Sequence, residues 1–409
     1  MRGWRSRGFG FAVLVGWGLM FAPGPAVLSG EEPAAPEQPA QQATVQQPAE
    51  QPAAEPSAEP KENQPQEQSK QAVPEAAKPP AKPALDPQQI ALRNRIRRVL
   101  AWYAKLPINT ADNTPGEVLQ FCLACGADAE IHAGGASGKP VSAFGALCYN
   151  FPCAGYELLS STKDGVMARI GYGLQAYPAE MLGVLALTGV PADYGIRVGD
   201  KEHRVADLVE YEKLTCQSGT NLSLKLIALC FYVPGDASWK NQLGESWSVE
   251  RLFSEEWKRP PATTNSDVTN HLTALTWALH RRIREGRPVD GPYREAEPHL
   301  AKFEEAAFQA QNRDGSWRPD FFAARAPGRD QEGSLFATGH VLGWLAYRLP
   351  EDRLDDPRMV RAVTFATTVL EQWSSRWDVT ETSPREITAA MHALHALRTY
   401  DRRFFKPRD

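Results

Sequence analysis

Thr338-Gly339-His340-Val341-Leu342 has two counterparts in the same half of the chain, Thr269-Asn270-His271-Leu272 and Ala390-Met391-His392-Ala393-Leu394. Each places a histidine in the first turns of an apolar run of helical length. Two earlier runs carry a glutamate at that point, in Gly116-Glu117-Val118-Leu119 and Ala179-Glu180-Met181-Leu182. Helices that repeat in this way predict a ring, and polar groups at matching depths in a ring converge on its axis.

The flanking segments extend the pattern. Apolar runs at 115–126, 178–189, 221–232, 267–284, 334–348 and 385–399 alternate with more charged, amphipathic ones at 87–104, 204–216, 248–258, 294–311 and 357–373. An amphipathic helix buries one stripe, whereas a helix apolar all round is covered on most sides. The alternation therefore predicts two concentric layers. The apolar helices start at a loose period of ~50 residues, in the range of arrays and closed repeats. The expected fold is all-α: an α/α toroid of about six helix pairs, with an open α-solenoid as the alternative. Residues 127–176 are read as a small β-hairpin insertion, because Asp164-Gly165 between two β-forming runs is a hairpin signal.

The N-terminal fifth is different. Arg2, Arg5 and Arg7 precede an apolar run from Phe9 to Ala22 and a small-residue stretch ending near Ser29 and Gly30. This is the pattern of an export signal over residues 1–30. The expected location is periplasmic or extracellular. The run is short for a spanning helix, which needs ~20 residues, so the membrane enters only as a tether if the signal stays uncleaved. Residues 31–86, rich in Pro, Ala, Glu and Gln, cannot bury enough surface to order themselves and read as a disordered linker. The folded domain is then 87–409.

The formal charge of −4 and the lack of a basic stripe exclude a nucleic-acid binder. Six cysteines occur, and export permits disulfides. Cys148 and Cys153, which flank a turn, are the best candidate pair. Cys122 and Cys125 form a lone C-x-x-C inside an apolar helix and read as core thiols; a zinc site would need further ligands.

Gln311-Asn312-Arg313-Asp314-Gly315-Ser316-Trp317 matches Q-x-x-x-G-x-W. It resembles the QW motif of the terpenoid-cyclase and protein-prenyltransferase superfamily. The resemblance covers about 87–399 and implies an α/α toroid in which Gln311, Gly315 and Trp317 are structural. The chain also resembles a group of exported bacterial proteins with this toroid and no assigned activity. It lacks the D-x-D-D acid of hopene-type cyclases and the Asp-x-Cys zinc ligands of prenyltransferases. The resemblance therefore implies the fold without those two activities.

In a ring, Glu117, Glu180, His271, His340 and His392 sit at similar depths, with His395 about one turn below His392. The third helix offers Ser223 or Lys225 at the matching place. Three imidazoles and two carboxylates suit a divalent metal such as zinc, manganese or iron. They equally suit general acid–base work, and the same positions are where a toroid tolerates polar groups without any chemistry. Tyr211 is expected at the same mouth, and Trp344 offers a stacking face for a ligand. The sequence thus predicts an exported toroid that binds a small molecule or a glycan at its axial mouth. One alternative is a glycan hydrolase or lyase with Glu117 and Glu180 as acid and base. Another is a metal-dependent enzyme using the histidines. Oligomeric state is not readable.

Overall fold

A computed structural model describes residues 84–260, 265–320, 330–377 and 382–406. The segments expected to be an export signal and a linker, up to residue 83, lie outside the described residues. Those described are mostly helical, with four two-stranded antiparallel hairpins. Among them, no helix is long and apolar enough to cross a membrane.

Helix starts follow local rules. α1 (Pro87–Tyr103) is capped by Asp86 and Gln89, each accepting the other's backbone N–H. α2 (Pro115–Cys125) begins with Thr114 as cap, Pro115 in the first turn and Glu117 closing the box. The segment expected to be an insertion contains an outer helix of its own. β1 (Glu130–Ala133) pairs with β2 (Lys139–Ser142) and leads directly into α3 (Ala143–Cys148). β3 (Leu159–Thr162) and β4 (Gly165–Ala168) then form the hairpin at Asp164-Gly165. α4 (Glu180–Thr188) follows.

The hairpin-then-helix unit recurs twice more, which the sequence reading missed. β5 (Gly195–Val198) and β6 (Lys201–Arg204) lead into α5 (Val205–Leu214). After α6 (Ser223–Tyr232), β7 (Ser238–Lys240) and β8 (Ser246–Ser248) lead into α7 (Val249–Lys258). Strands of three or four residues are too short for a period-two pattern to stand out. The remainder is helical: α8 (Asn265–Arg284), α9 (Gly291–Ala310), α10 (Gln331–Arg348), α11 (Pro357–Ser374) and α12 (Pro384–Phe404).

The six apolar helices pack in a closed order. α2 touches α4, α4 touches α6, and so on through α8 and α10 to α12, which returns to α2. The others pack against them and one another: α1 on α11 and α12, α3 on α2, α5 and α7 on α6, α9 on α7 and α8, and α11 on α10. α10 is buried along almost its whole length, from Ser334 to Ala346.

The tightest seam joins α10 to α12. A Cβ at Gly339 would lie 2.6 Å from the Ala393 nitrogen and 2.7 Å from the His392 carbonyl carbon. Backbone cannot yield there as a side chain can, so overpacking costs about 3 kcal/mol. The better helix propensity of alanine returns about 1. Gly339→Ala is thus expected to lower stability by about 2 kcal/mol in urea unfolding. An unchanged midpoint would show that the two helices are not this close.

The Q-x-x-x-G-x-W segment ties α9, α10 and α11 together. The Gln311 amide donates to the carbonyls of Gly315 (3.1 Å) and Arg358 (2.9 Å). The buried Trp317 indole donates to Ala307 O at 2.7 Å, and its backbone N–H donates to Thr338 Oγ1 at 3.2 Å. Gly315 has φ of 95°, and a side chain there would strike the Arg361 carbonyl.

One covalent expectation is corrected. Cys148 and Cys153 are not bridged, and all six cysteines are free thiols. Cys148 is buried in α3, while the Cys153 thiol contacts Phe151 O at 3.5 Å across its own tight turn.

Candidate functional site

One cavity of about 270 Å³ is lined by side chains from all six apolar helices. Each helix supplies residues three or four apart, which is one helical face. α10 gives Phe336, His340, Trp344 and Tyr347; α12 gives Thr388, His392 and His395; α8 gives Ser266, Asn270 and Thr273. α2 and α4 add Gln120, Leu123, Glu180, Val184 and Leu187, and α6 adds Leu224 and Ile227.

His340 and His392 face one another across the α10–α12 seam. Their ring centroids are 3.9 Å apart at 31°, and Phe336 stands edge-on to both. His340 Nδ1 lies 3.1 Å from Thr269 Oγ1. His395 Nδ1 lies 3.2 Å from Leu123 O, and a carbonyl only accepts, so this nitrogen carries the proton. Trp344 is fixed by its indole N–H donating to Thr276 Oγ1 at 3.1 Å.

Burial sets the charge state of these rings. It pushes His340 down to about 3, with His395 adding to the effect. It pushes His395 down to about 4, with Arg398 adding and the Leu123 carbonyl opposing. His392 is driven well below its ordinary value by burial and by the two other histidines. His392 and His395 keep part of their surface open, but onto the cavity, where protein surrounds them. All three are neutral near pH 7.

Glu180 is the cavity's carboxyl. Its Oε2 accepts from the Ala176 N–H (2.6 Å) and the Tyr177 N–H (3.2 Å), and its Oε1 accepts from the Gln120 amide (2.8 Å). Burial raises its pKa, and those three hydrogen bonds oppose the rise. Ala179, directly before it, has φ of 60°. A left-handed alanine costs about 1–2 kcal/mol, and the turn it makes lets the 176–177 backbone wrap the carboxylate. Tyr177 Oη also meets Ser266 Oγ at 2.8 Å, closing this side of the cavity against α8.

Of the residues expected on the axis, Glu180, His340, His392, His395 and Trp344 meet at this cavity. Three do not line it. Glu117 is the third residue of α2, and its Oε2 accepts the Thr114 N–H at 2.8 Å, so it closes a capping box. His271 turns outward: its Nδ1 lies 2.7 Å from Glu256 Oε1 on α7. Its predecessor Asn270 faces the cavity, because one residue along a helix rotates a side chain by about 100°. Tyr211 belongs to the outer helix α5, where its hydroxyl contacts Met167 Sδ at 3.4 Å. Ser223 and Lys225 are buried in other pairings, with Glu256 at 2.7 Å and Glu212 at 3.0 Å.

The metal expectation finds no support in the geometry. Among the described residues, no three His, Cys, Asp or Glu side chains are placed to hold an ion. The sequence reading also missed Gln120, Phe336, Thr273 and Tyr347. Stepping by three and four residues from His340 would have found Phe336 and Tyr347, which share its helical face. No protein-family profile matches the chain, and no curated protein matches it.

Proposed function

We propose that the closed order of six helices is an α/α toroid and that its axial cavity binds a small, largely apolar ligand. In this reading the protein is exported and held on its Pro-rich segment, and it is a binding protein rather than a terpene cyclase or prenyltransferase. The observation that carries the reading is one cavity reached by every helix of the ring, with neutral imidazoles and one carboxyl set among apolar walls. Pockets of this kind take ligands whose bodies are apolar and whose few polar atoms fix orientation. Neutral rings can both donate and accept, so the cavity suits an uncharged body with one or two hydrogen-bonding atoms.

The two catalytic alternatives are less well supported. A glycosidase needs two carboxyls across a cleft, and Glu117 is spent on its capping box. A metal enzyme needs a ligand set that the described residues do not assemble.

The test is titration with N-phenylnaphthylamine, a neutral fluorescent apolar probe. One saturable site is expected. Filling the cavity by Thr273→Trp should weaken binding by at least about tenfold while the protein stays folded by circular dichroism. Equal probe binding by a folded Thr273→Trp variant would overturn the cavity as the site.

A further inference from the structure

Towards the C-terminal ends of α2 and α4, the cavity is lined by Leu123, Leu187, Tyr347 and His395. The same four residues line a second, smaller space of about 30 Å³, which continues to Arg398, Thr399 and Arg402. The axial space therefore leads from apolar walls to two guanidinium groups.

Arg398 is not explained by its own helix. A cation at a helix C-terminus is favoured only within the last turn, and Arg398 sits well before the end of α12 at Phe404. Its guanidinium packs where Gly126 has no side chain, and a Cβ there would lie 2.6 Å from Arg398 Cζ. Among the described residues, neither Arg398 nor Arg402 makes a hydrogen bond or an ion pair. Burial acts most strongly against the Arg398 charge and Arg402 repels it, while the Cys125 thiol and Asp128 favour it without a hydrogen bond or ion pair to it. Arg398 is half-buried and Arg402 exposed. A partly desolvated guanidinium without an acceptor is costly, and an incoming oxyanion relieves that cost.

We propose that the cavity's ligand is a monocarboxylate with an apolar body. The carboxylate sits between Arg398 and Arg402, and the body passes His395 and Tyr347 towards Leu224, Ile227 and Phe336. The size of the small space decides between anions. A single water needs roughly 10–15 Å³ by this kind of measure, so the space takes about two small groups, which fits a carboxylate better than a phosphate. A planar carboxylate also matches the guanidinium fork. The proposal rests on the cavity reading above and assigns its head-group end.

Calorimetric titration of the full chain with octanoate, octan-1-ol and octyl phosphate tests it. Octanoate is expected to bind at least about tenfold more tightly than octanol. Arg398→Gln should abolish that preference while leaving octanol binding unchanged. Arg398→Lys should recover only part of it, because the fork is lost. Equal affinity for octanoate and octanol would overturn the carboxylate seat and leave the apolar cavity standing. So would a preference surviving in Arg398→Gln, and tighter binding of octyl phosphate would replace the carboxylate by a phosphate. Failure of all three compounds to bind would overturn the cavity reading as well.

Discussion

Acidification from pH 6.5 to about 4.5 is expected to remove a large part of the protein's stability, and the three cavity histidines are the main cause, with His280 and His299, also lowered by burial, adding to it. In the unfolded chain each imidazole takes a proton near pH 6.5. In the folded chain His340 does so only at about 3 and His395 at about 4, and His392 is also well below its usual range. Between those limits the unfolded state binds more protons. Stability therefore falls as pH falls, by about 1.4 kcal/mol per pH unit for each ring. The slope is half of that at pH 6.5, where the unfolded imidazole is half protonated, so three rings give on the order of 5–7 kcal/mol by pH 4.5, a large part of the stability of a typical domain. Glu180 acts with the opposite sign. Its raised pKa means that the folded state takes a proton first, which offsets part of the loss at the acid end.

Urea unfolding at half-unit pH steps would measure the slope. Replacing His392 by leucine should reduce it by up to about one third, because one cavity proton no longer counts while those of His340, His395 and, more weakly, His280 and His299 remain. A stability that is flat from pH 6.5 to 5 would show that water reaches these rings freely and that the cavity is not enclosed. The same experiment thus tests the cavity as well as the charges.

The alternation of apolar and amphipathic helices was legible because it depends only on how many sides of a helix are covered. Every helix expected from periodicity is present: α1, α2 and α4 to α12. α3 was not legible: six residues in a Gly-rich stretch carry too little pattern. The site was legible in depth but not in direction. Alignment by helix start put His271, His340 and His392 at one level, yet a helix start does not say which way a side chain faces. Asn270 and His271 differ by one residue, yet one lines the cavity and the other pairs with Glu256 of α7. Glu117 had a sequence signal that outranked the alignment. Thr114-Pro115-Gly116-Glu117 spells a capping box, and that local pairing fixes the carboxylate before any axial role can. The cavity's far end was not legible, because the packing of Arg398 against Gly126 brings together residues far apart in the chain.

The glutamate that holds His271 away from the cavity should be among the most sensitive positions in the protein. Glu256 is fully buried on α7 and ties that helix to two others. It accepts from the Leu222 N–H at 3.0 Å and the Ser223 hydroxyl at 2.7 Å at the start of α6. It meets His271 of α8 at 2.7 Å and Arg259 at 2.8 Å. Glu256→Leu strands those donors and leaves Arg259 with Asp267 at 3.1 Å and the Ser223 hydroxyl at 3.3 Å. Removing one partner of a buried ionic cluster costs about 3–5 kcal/mol, and urea unfolding of this variant should show a loss of that size. Its pH signature separates it from the histidines. Burial alone would raise the Glu256 pKa, but His271, Arg259 and Ser223 outweigh it and hold the group below its ordinary value. Stability from a lowered carboxyl is present above the unfolded value, about 4.3, and is lost as pH falls through the folded one. That window lies below the histidine window. Glu256→Leu should therefore lower stability at pH 7 yet keep the full slope between pH 6.5 and 4.5. A variant that lost the slope too would mean that the two clusters act as one.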